Sequence, residues 1–135
     1  MAKISWLPSF ETGISEIDND HKGLVEAIQG IEVALDAGDT QTSANLFKDF
    51  LDQAAAHFKR EEAYLISIDF PRLESHSSDH KRLMEMGGDT LKKVNAGMTP
   101  EETRSCLEEM IYFLLEDVIK ADAEFKSYAQ ERGII

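Results

Sequence analysis

Apolar residues recur at alternating intervals of three and four along four separate stretches of this 135-residue chain. Residues spaced in this way lie on one face of an α-helix, so each stretch predicts an amphipathic helix with a buried stripe. Strand-like alternation is nearly absent, which favours an all-α fold. The stripes are Ile17, His21, Leu24, Ile28, Ile31 and Leu35; Leu46, Phe50, Ala54, His57, Glu61 and Leu65; Leu73, His76, His80, Leu83, Gly87, Leu91 and Val94; and Leu107, Met110, Ile111, Leu114, Val118 and Ala121.

Turn and capping signals set the limits of the first two predicted helices. The first opens near Asp18 and runs to the DAGDT turn at 36–40. The second starts after Asp39 or Thr40 and continues to about Ser67. Pro71 disfavours helix at the residue before it, so 68–71 is predicted to be a connection.

The last two predicted helices have clearer ends. The third is predicted to end at 95–97, where Gly97 provides a C-terminal cap. The fourth begins with Thr99 as N-cap, Pro100 at the first position and Glu102 completing a capping box, and it runs to about Ala129.

Four amphipathic helices joined by short turns predict an antiparallel up-down four-helix bundle. Residues 1–17 are expected to form an irregular N-terminal arm, with aromatic side chains such as Trp6 and Phe10 packed against the bundle. The length suits one domain over residues 1–135.

Composition and charge indicate which binding partners and which cellular compartment to expect. The net charge is −12, from 26 acidic and 14 basic residues, and would repel a phosphate backbone or an anionic membrane. No apolar run approaches the roughly 20 residues that span a bilayer, and the N-terminus lacks the pattern of a signal peptide. The single Cys106 excludes an internal disulfide framework. We therefore expect a cytoplasmic protein that binds neither nucleic acid nor membrane.

All four histidines fall on the predicted helices. His57 and Glu61 are four residues apart, as are His76 and His80, so each pair shares a helix face. A single histidine on an apolar stripe is more often a hydrogen-bonded core residue than a metal ligand. For His57, Glu61 on the same stripe changes that balance because an unpaired buried carboxylate is strongly disfavoured, and a metal ion removes the cost.

The number of candidate ligands favours two metal ions over one. Iron, manganese and zinc all accept imidazole nitrogen and carboxylate oxygen. Four histidines and a glutamate exceed the three protein ligands of a typical catalytic zinc. Two metals bridged by carboxylates fit better, and bundle cores are a known setting for such sites.

Two aspartates on the fourth predicted helix are further candidates. With Leu114 at the centre of the stripe, a rotation of about 100° per residue puts Asp117 about 60° to one side and Asp122 about 80° to the other. Both positions border the core. From the angles alone, a metal-binding role and a solvent-facing role are equally supported.

The ordered set of these residues resembles the hemerythrins, in particular single-domain bacteriohemerythrins. The resemblance spans nearly the whole chain and includes Trp6, the run GISEIDNDHKGLVEAI at 13–28, HFKREEAYL at 57–65 and HSSDH at 76–80. It implies a non-haem centre of two iron ions (Fe²⁺/Fe³⁺) with an oxo or hydroxo bridge, which binds dioxygen as a carrier, store or sensor. A redox partner is possible, and no catalytic residue is implied.

The resemblance also implies roles for individual residues. His76 and His80 would ligate one iron, and His21 and His57 the other. Glu61 and Asp122 would bridge the two ions.

One position departs from the family pattern. The family has a fifth histidine five residues before the bridging aspartate, where this chain has Asp117. Asp117 would bind iron directly or through water. Its presence supports an alternative function, a di-iron enzyme acting on peroxide, NO or O2 at a more open site. A third alternative is a site that is empty, mononuclear or filled by another metal.

Overall fold

The structure, a computed structural model, describes residues 12–134, except for the side chains of residues 117–122. Four α-helices follow one another along this part of the chain: α1 (Ser15–Asp36), α2 (Thr40–Ser67), α3 (Leu73–Asn95) and α4 (Pro100–Glu131). The described residues contain no strand, which confirms the predicted all-α class. None of the described helices is long and apolar enough to cross a membrane. The expected packing of Trp6 and Phe10 lies outside the described residues.

The start of α1 differs from the prediction. The helix begins at Ser15 rather than near Asp18, so residues 15–17 are helical and do not belong to the arm. The N-cap residue Ile14 offers no side-chain cap. Instead, the buried Asp18 carboxylate accepts hydrogen bonds from the Thr12 amide at 2.8 Å, the Thr12 hydroxyl at 2.9 Å and the Gly13 amide at 3.2 Å. Asp18 therefore anchors the preceding chain from within the helix's first turns.

The other helix ends agree with the sequence. Asp39 caps α2 by accepting a hydrogen bond from the Thr42 amide at 3.0 Å. Gly97, with φ of +104°, follows the end of α3 in a conformation that side-chain-bearing residues rarely adopt. Thr99 and Glu102 form the predicted reciprocal capping box at the start of α4. These contacts satisfy amides that the helices leave without intrahelical partners.

Contacts between helix ends establish an antiparallel bundle. Arg104, near the start of α4, forms an ion pair with Asp36 at the end of α1, at 2.9 Å. The Tyr128 hydroxyl, near the end of α4, lies 3.1 Å and 2.9 Å from the carbonyl oxygens of Ile68 and Asp69 in the α2–α3 connection. Each helix packs against the next one along the chain, and α4 also contacts α1 and α2. The up-down four-helix bundle is thus confirmed.

The core consists of two apolar clusters separated along the bundle axis. The larger cluster takes residues from all four helices, including Leu24, Phe50, Leu83 and Leu114. The smaller cluster comprises Ile17, Leu65, Phe70 and Phe125. His21, Glu61, His76 and His80 fall between residues of the two clusters along their helices, whereas His57 is flanked by Ala54 and Phe58 of the larger cluster. The fold therefore encloses a polar layer between two apolar ones.

Candidate metal centre

Five of the predicted ligands are buried in the polar layer. His21 comes from α1, His57 and Glu61 from α2, and His76 and His80 from α3. Each is less than 5% exposed. Burial of this many polar groups is costly unless each group is paired or binds a cation. The fold thus concentrates nitrogen and oxygen donors where water is largely excluded.

The first group of donors joins α1 to α2. The Nε2 atoms of His21 and His57 lie 3.0 Å apart. One carboxylate oxygen of Glu61, Oε2, lies 3.1 Å from the His57 Nε2 and 3.9 Å from the His21 Nε2. Together these three residues offer a compact set of donor atoms for one cation.

The second group joins α2 to α3. The other oxygen of Glu61, Oε1, lies 3.3 Å from the His80 Nε2. Donor atoms of Glu61, His76 and His80 all lie within 4.8 Å of one another. Glu61 is common to both groups and presents a different oxygen to each. A carboxylate placed in this way can connect two cations.

The histidines keep Glu61 ionised. Burial would raise the pKa of this carboxyl, but hydrogen bonds from His21, His57 and His80, with the charge of His57, hold the pKa well below its usual range. An ionised carboxylate is the form that binds a cation. Glu61 therefore presents negatively charged oxygens to the histidines of both α2 and α3.

A second carboxylate orients His57. The Asp20 Oδ2 lies 3.1 Å from the His57 Nδ1, and Arg60 donates to both oxygens of Asp20 at 2.8 Å and 2.7 Å. Burial opposes ionisation of Asp20, but hydrogen bonds from Arg60 and His57 keep its pKa below the usual value. In neutral His57, the form that binds a metal, the ionised acceptor at Nδ1 places the single proton there and leaves the Nε2 lone pair available.

Neighbouring side chains also orient the α3 histidines. The Phe58 ring stacks on His80 with centroids 3.9 Å apart and planes 8° from parallel. The His80 Nδ1 lies 3.4 Å from a carboxylate oxygen of Glu62. The Phe70 ring meets the His76 ring edge to face at 5.0 Å. These contacts restrict both rings to orientations in which their donor atoms converge.

The donor set fits a cation of the iron, manganese or zinc type. Imidazole nitrogens and carboxylate oxygens are ligands that these metals accept. The buried Nδ1 of His76 also has no hydrogen-bond partner among the described residues. A neutral imidazole carries one proton and one lone pair, so this ring is incompletely satisfied by the described protein groups alone.

An open cavity reaches the layer from the α3–α4 side. Its volume is about 580 Å³, and the residues around it include His76, Arg72, Leu83, Phe113 and Glu124. Small molecules can therefore approach His76 from this side, although the residue itself is buried.

Glu124 lies at the His76 end of this cavity. Its Oε2 atom is 3.5 Å from the His76 Nε2 and 2.7 Å from the Arg72 Nη1. The hydrogen bond from Arg72 lowers the pKa of Glu124, with a smaller contribution from His76.

The structure brings together the four histidines and Glu61, as the sequence predicted. The side chains of Asp117 and Asp122 lie outside the described part of α4, so their predicted roles stay predictions. Sequence reasoning missed Asp20 and Glu124. The available signal for Glu124 was its position seven residues after Asp117, which puts both positions on the same side of the helix. No spacing rule connects Asp20 to His57, because that contact crosses between two helices.

Comparison with known proteins finds similarity along most of the chain. The family model described as the hemerythrin HHE cation binding domain matches residues 12–128. The bacteriohemerythrin of Clostridium acetobutylicum is 26% identical over 128 residues, covering 89% of this chain and 96% of its own. The myohemerythrin of Theromyzon tessulatum is 26% identical over 106 residues, covering 78% and 80%. A hemerythrin-like protein of Naegleria gruberi is 33% identical over 81 residues, covering 60% and 63%.

Proposed function

The chain belongs to the hemerythrin family, and from this premise we propose that it is a non-haem di-iron protein that binds dioxygen as a carrier, store or sensor. The observation that carries the proposal is the position of Glu61. Its two oxygens face histidines of different helices, with His57 on one side and His80 on the other. A carboxylate shared in this way supports a centre of two metal ions rather than one.

Ligand roles follow from the two groups of donors. His21 and His57 would hold one iron, His76 and His80 would hold the other, and Glu61 would connect them. Asp122 is proposed as the second bridging carboxylate, and Asp117 as a further ligand beside the α3 histidines, bound directly or through water. An oxo or hydroxo bridge would complete the pair.

Bound iron would supply the electrons that dioxygen takes up. The protein's own contribution is position and environment. Asp20 holds the proton of His57 on Nδ1, and the stacked Phe58 ring fixes the plane of His80. Apolar clusters on both sides of the layer limit the entry of water along the bundle axis, and the α3–α4 cavity is an open side. Restricting water in this way favours binding of a reactive ligand over its loss to side reactions.

Anaerobic loading with Fe²⁺ followed by exposure to dioxygen tests this function. We expect two irons per chain and uptake of one dioxygen per iron pair, followed in the optical spectrum and reversed by removal of the gas. Iron uptake without any spectral response to dioxygen would contradict the proposed function.

The α3–α4 cavity favours one second candidate, an enzyme acting on peroxide, NO or O2. An oxygen carrier needs room for a diatomic ligand only, whereas a cavity of about 580 Å³ beside His76 can admit a larger reactant. Multiple turnovers of peroxide or NO by the iron-loaded protein would favour the enzyme. A single one-to-one adduct would favour the carrier.

The Asp117→His variant tests the proposed role of Asp117. Aspartate adds negative charge where the family pattern has imidazole, and negative charge favours Fe³⁺ over Fe²⁺. We expect the variant to keep bound dioxygen longer before it autoxidises. Equal autoxidation rates in the two proteins would refute this role for Asp117.

A further inference from the structure

Glu124 is a carboxylate that the ligand set proposed above does not use. It lies on α4, and its Oε2 atom is 3.5 Å from the Nε2 of His76. In a four-coordinate site with bonds of about 2.1 Å, two donors on one metal are about 3.4 Å apart. The separation between Glu124 and His76 is therefore close to that of two ligands of the same ion. The group whose donor atoms all lie within 4.8 Å of one another comprises Glu61, His76 and His80 and does not include Glu124, so Glu124 must turn from Arg72 toward His80 to join it.

The same oxygen also contacts a cation of the protein. Arg72 Nη1 lies 2.7 Å from the Glu124 Oε2, so this one atom faces both the guanidinium and the histidine nitrogen. The Glu124 side chain is 44% exposed and the Arg72 side chain is 62% exposed. Exposed pairs of this kind contribute little to stability, so the arginine can be displaced at small cost.

The cavity between α3 and α4 leads to this position. Arg72, His76 and Glu124 all line it, together with the second ion pair of Asp79 and Arg82. Because the cavity is open to solvent and Glu124 and His76 both line it, a hydrated cation can approach them from this side. The cavity thus provides a path for loading as well as for small ligands.

We propose that Glu124 supplies a carboxylate oxygen to the cation held by His76 and His80, and that Arg72 competes with that cation for the oxygen. The inference rests on the proposed metal centre and adds a ligand to it. Because this chain lacks the fifth histidine of the family pattern, Glu124 would add a donor from the cavity side to the group of Glu61, His76 and His80. Unlike a histidine fixed in the core, this donor can leave, because Arg72 offers it a second partner.

Co²⁺ titration of the metal-free protein tests the inference, with calorimetry and the Co²⁺ optical spectrum as readouts. In Glu124→Gln we expect one of two Co²⁺ equivalents to bind about tenfold more weakly. Glu124→Asp keeps the charge but is one methylene shorter, so it should weaken the same equivalent. Arg72→Gln should have the opposite effect and tighten it, because a competitor is lost.

Asp79→Asn is the matched control. It removes one negative charge from the same cavity without touching a contact to His76, and its partner Arg82 lies 3.8 Å away. Circular dichroism of each metal-free variant checks that the helices are retained. The inference would be overturned if Glu124→Gln bound Co²⁺ with an affinity within twofold of this control. It would also be overturned if Arg72→Gln weakened Co²⁺ binding. If the wild type binds no Co²⁺, both the proposed metal centre and this inference are refuted. If the wild type and Glu124→Gln both bind two Co²⁺ with equal affinity, only the role of Glu124 is refuted.

Discussion

The Nδ1 of His57 lies 3.1 Å from the carboxylate of Asp20 and is held there by a contact that crosses from α2 to α1. This contact orients the ring so that the His57 Nε2 faces His21 and Glu61, and in neutral His57 it favours the proton on Nδ1. Orientation of a metal ligand by a carboxylate beyond it is a common feature of metal sites and raises the basicity of the ligand. The order of the polar layer therefore depends on residues outside the ligand set.

Asp20→Asn should weaken metal binding at the His21 and His57 pair. The variant keeps the size of the side chain but loses the charge, and it leaves Arg60 without its ionic partner. Loss of such contacts typically costs about tenfold or more in metal affinity. Co²⁺ titration measures the effect. Asp52→Asn, on the exposed side of α2, is the control, and equal affinities of the two variants would contradict the role of Asp20.

Phe58→Leu should lower both stability and metal affinity. Phe58 is buried and stacks on His80, so the smaller side chain loses packing and frees the imidazole ring. We expect a loss of about 1–2 kcal/mol in the free energy of unfolding. Urea denaturation of the metal-free protein measures it. Phe47→Leu is a control in the apolar core, where Phe47 stacks on Phe50. Phe47→Leu should lose comparable stability while its Co²⁺ affinity stays unchanged. If Phe47→Leu weakened Co²⁺ binding as much as Phe58→Leu does, Phe58 would have no specific role at the site.

Thr99→Ala should destabilise the bundle without affecting the metal centre. Thr99 and Glu102 satisfy two amides at the start of α4, and N-cap residues of this type contribute about 1 kcal/mol. Thermal unfolding of the metal-free protein measures the loss. Ser105→Ala, at an exposed position in the same helix, should be close to neutral. An equal effect of the two substitutions would show that the capping box does not contribute.

Asp39 should make α2 sensitive to acid. Hydrogen bonds from the Thr42 hydroxyl and the Thr42 amide lower the pKa of Asp39 below its ordinary value of 3.8. A pKa lowered by folding stabilises the folded state above the unfolded pKa, and this contribution is lost as the pH falls through the folded pKa. The stability difference between wild type and Asp39→Asn should therefore be constant from pH 7 to about 5 and shrink below about pH 4. A difference that stays constant down to pH 3 would contradict the assignment.

The helices were predictable because their signals are local. The three/four spacing fixed which side chains face inward, and Asp39, Gly97 and Thr99 marked the ends of helices. The start of α1 was not predictable from these rules. Asp18 lies inside the helix and accepts hydrogen bonds from Thr12 and Gly13, which precede the helix, instead of capping its N-terminus.

The ligands on the apolar stripes were predictable for the same reason. A histidine or glutamate in place of a leucine on a stripe must enter the core, as His57 and Glu61 do. Asp20 and Glu124 lie off the stripes. Their contacts depend on how neighbouring helices approach each other, which periodicity along one helix does not contain.

Iron content per chain tests the central claim that Glu61 serves two metal ions. After anaerobic loading and removal of free iron, we predict two irons per chain in the wild type. Since one carboxylate contacts both groups of histidines, Glu61→Gln should weaken retention of both irons together. One iron or fewer in the wild type, or two firmly held irons in Glu61→Gln, would contradict the account.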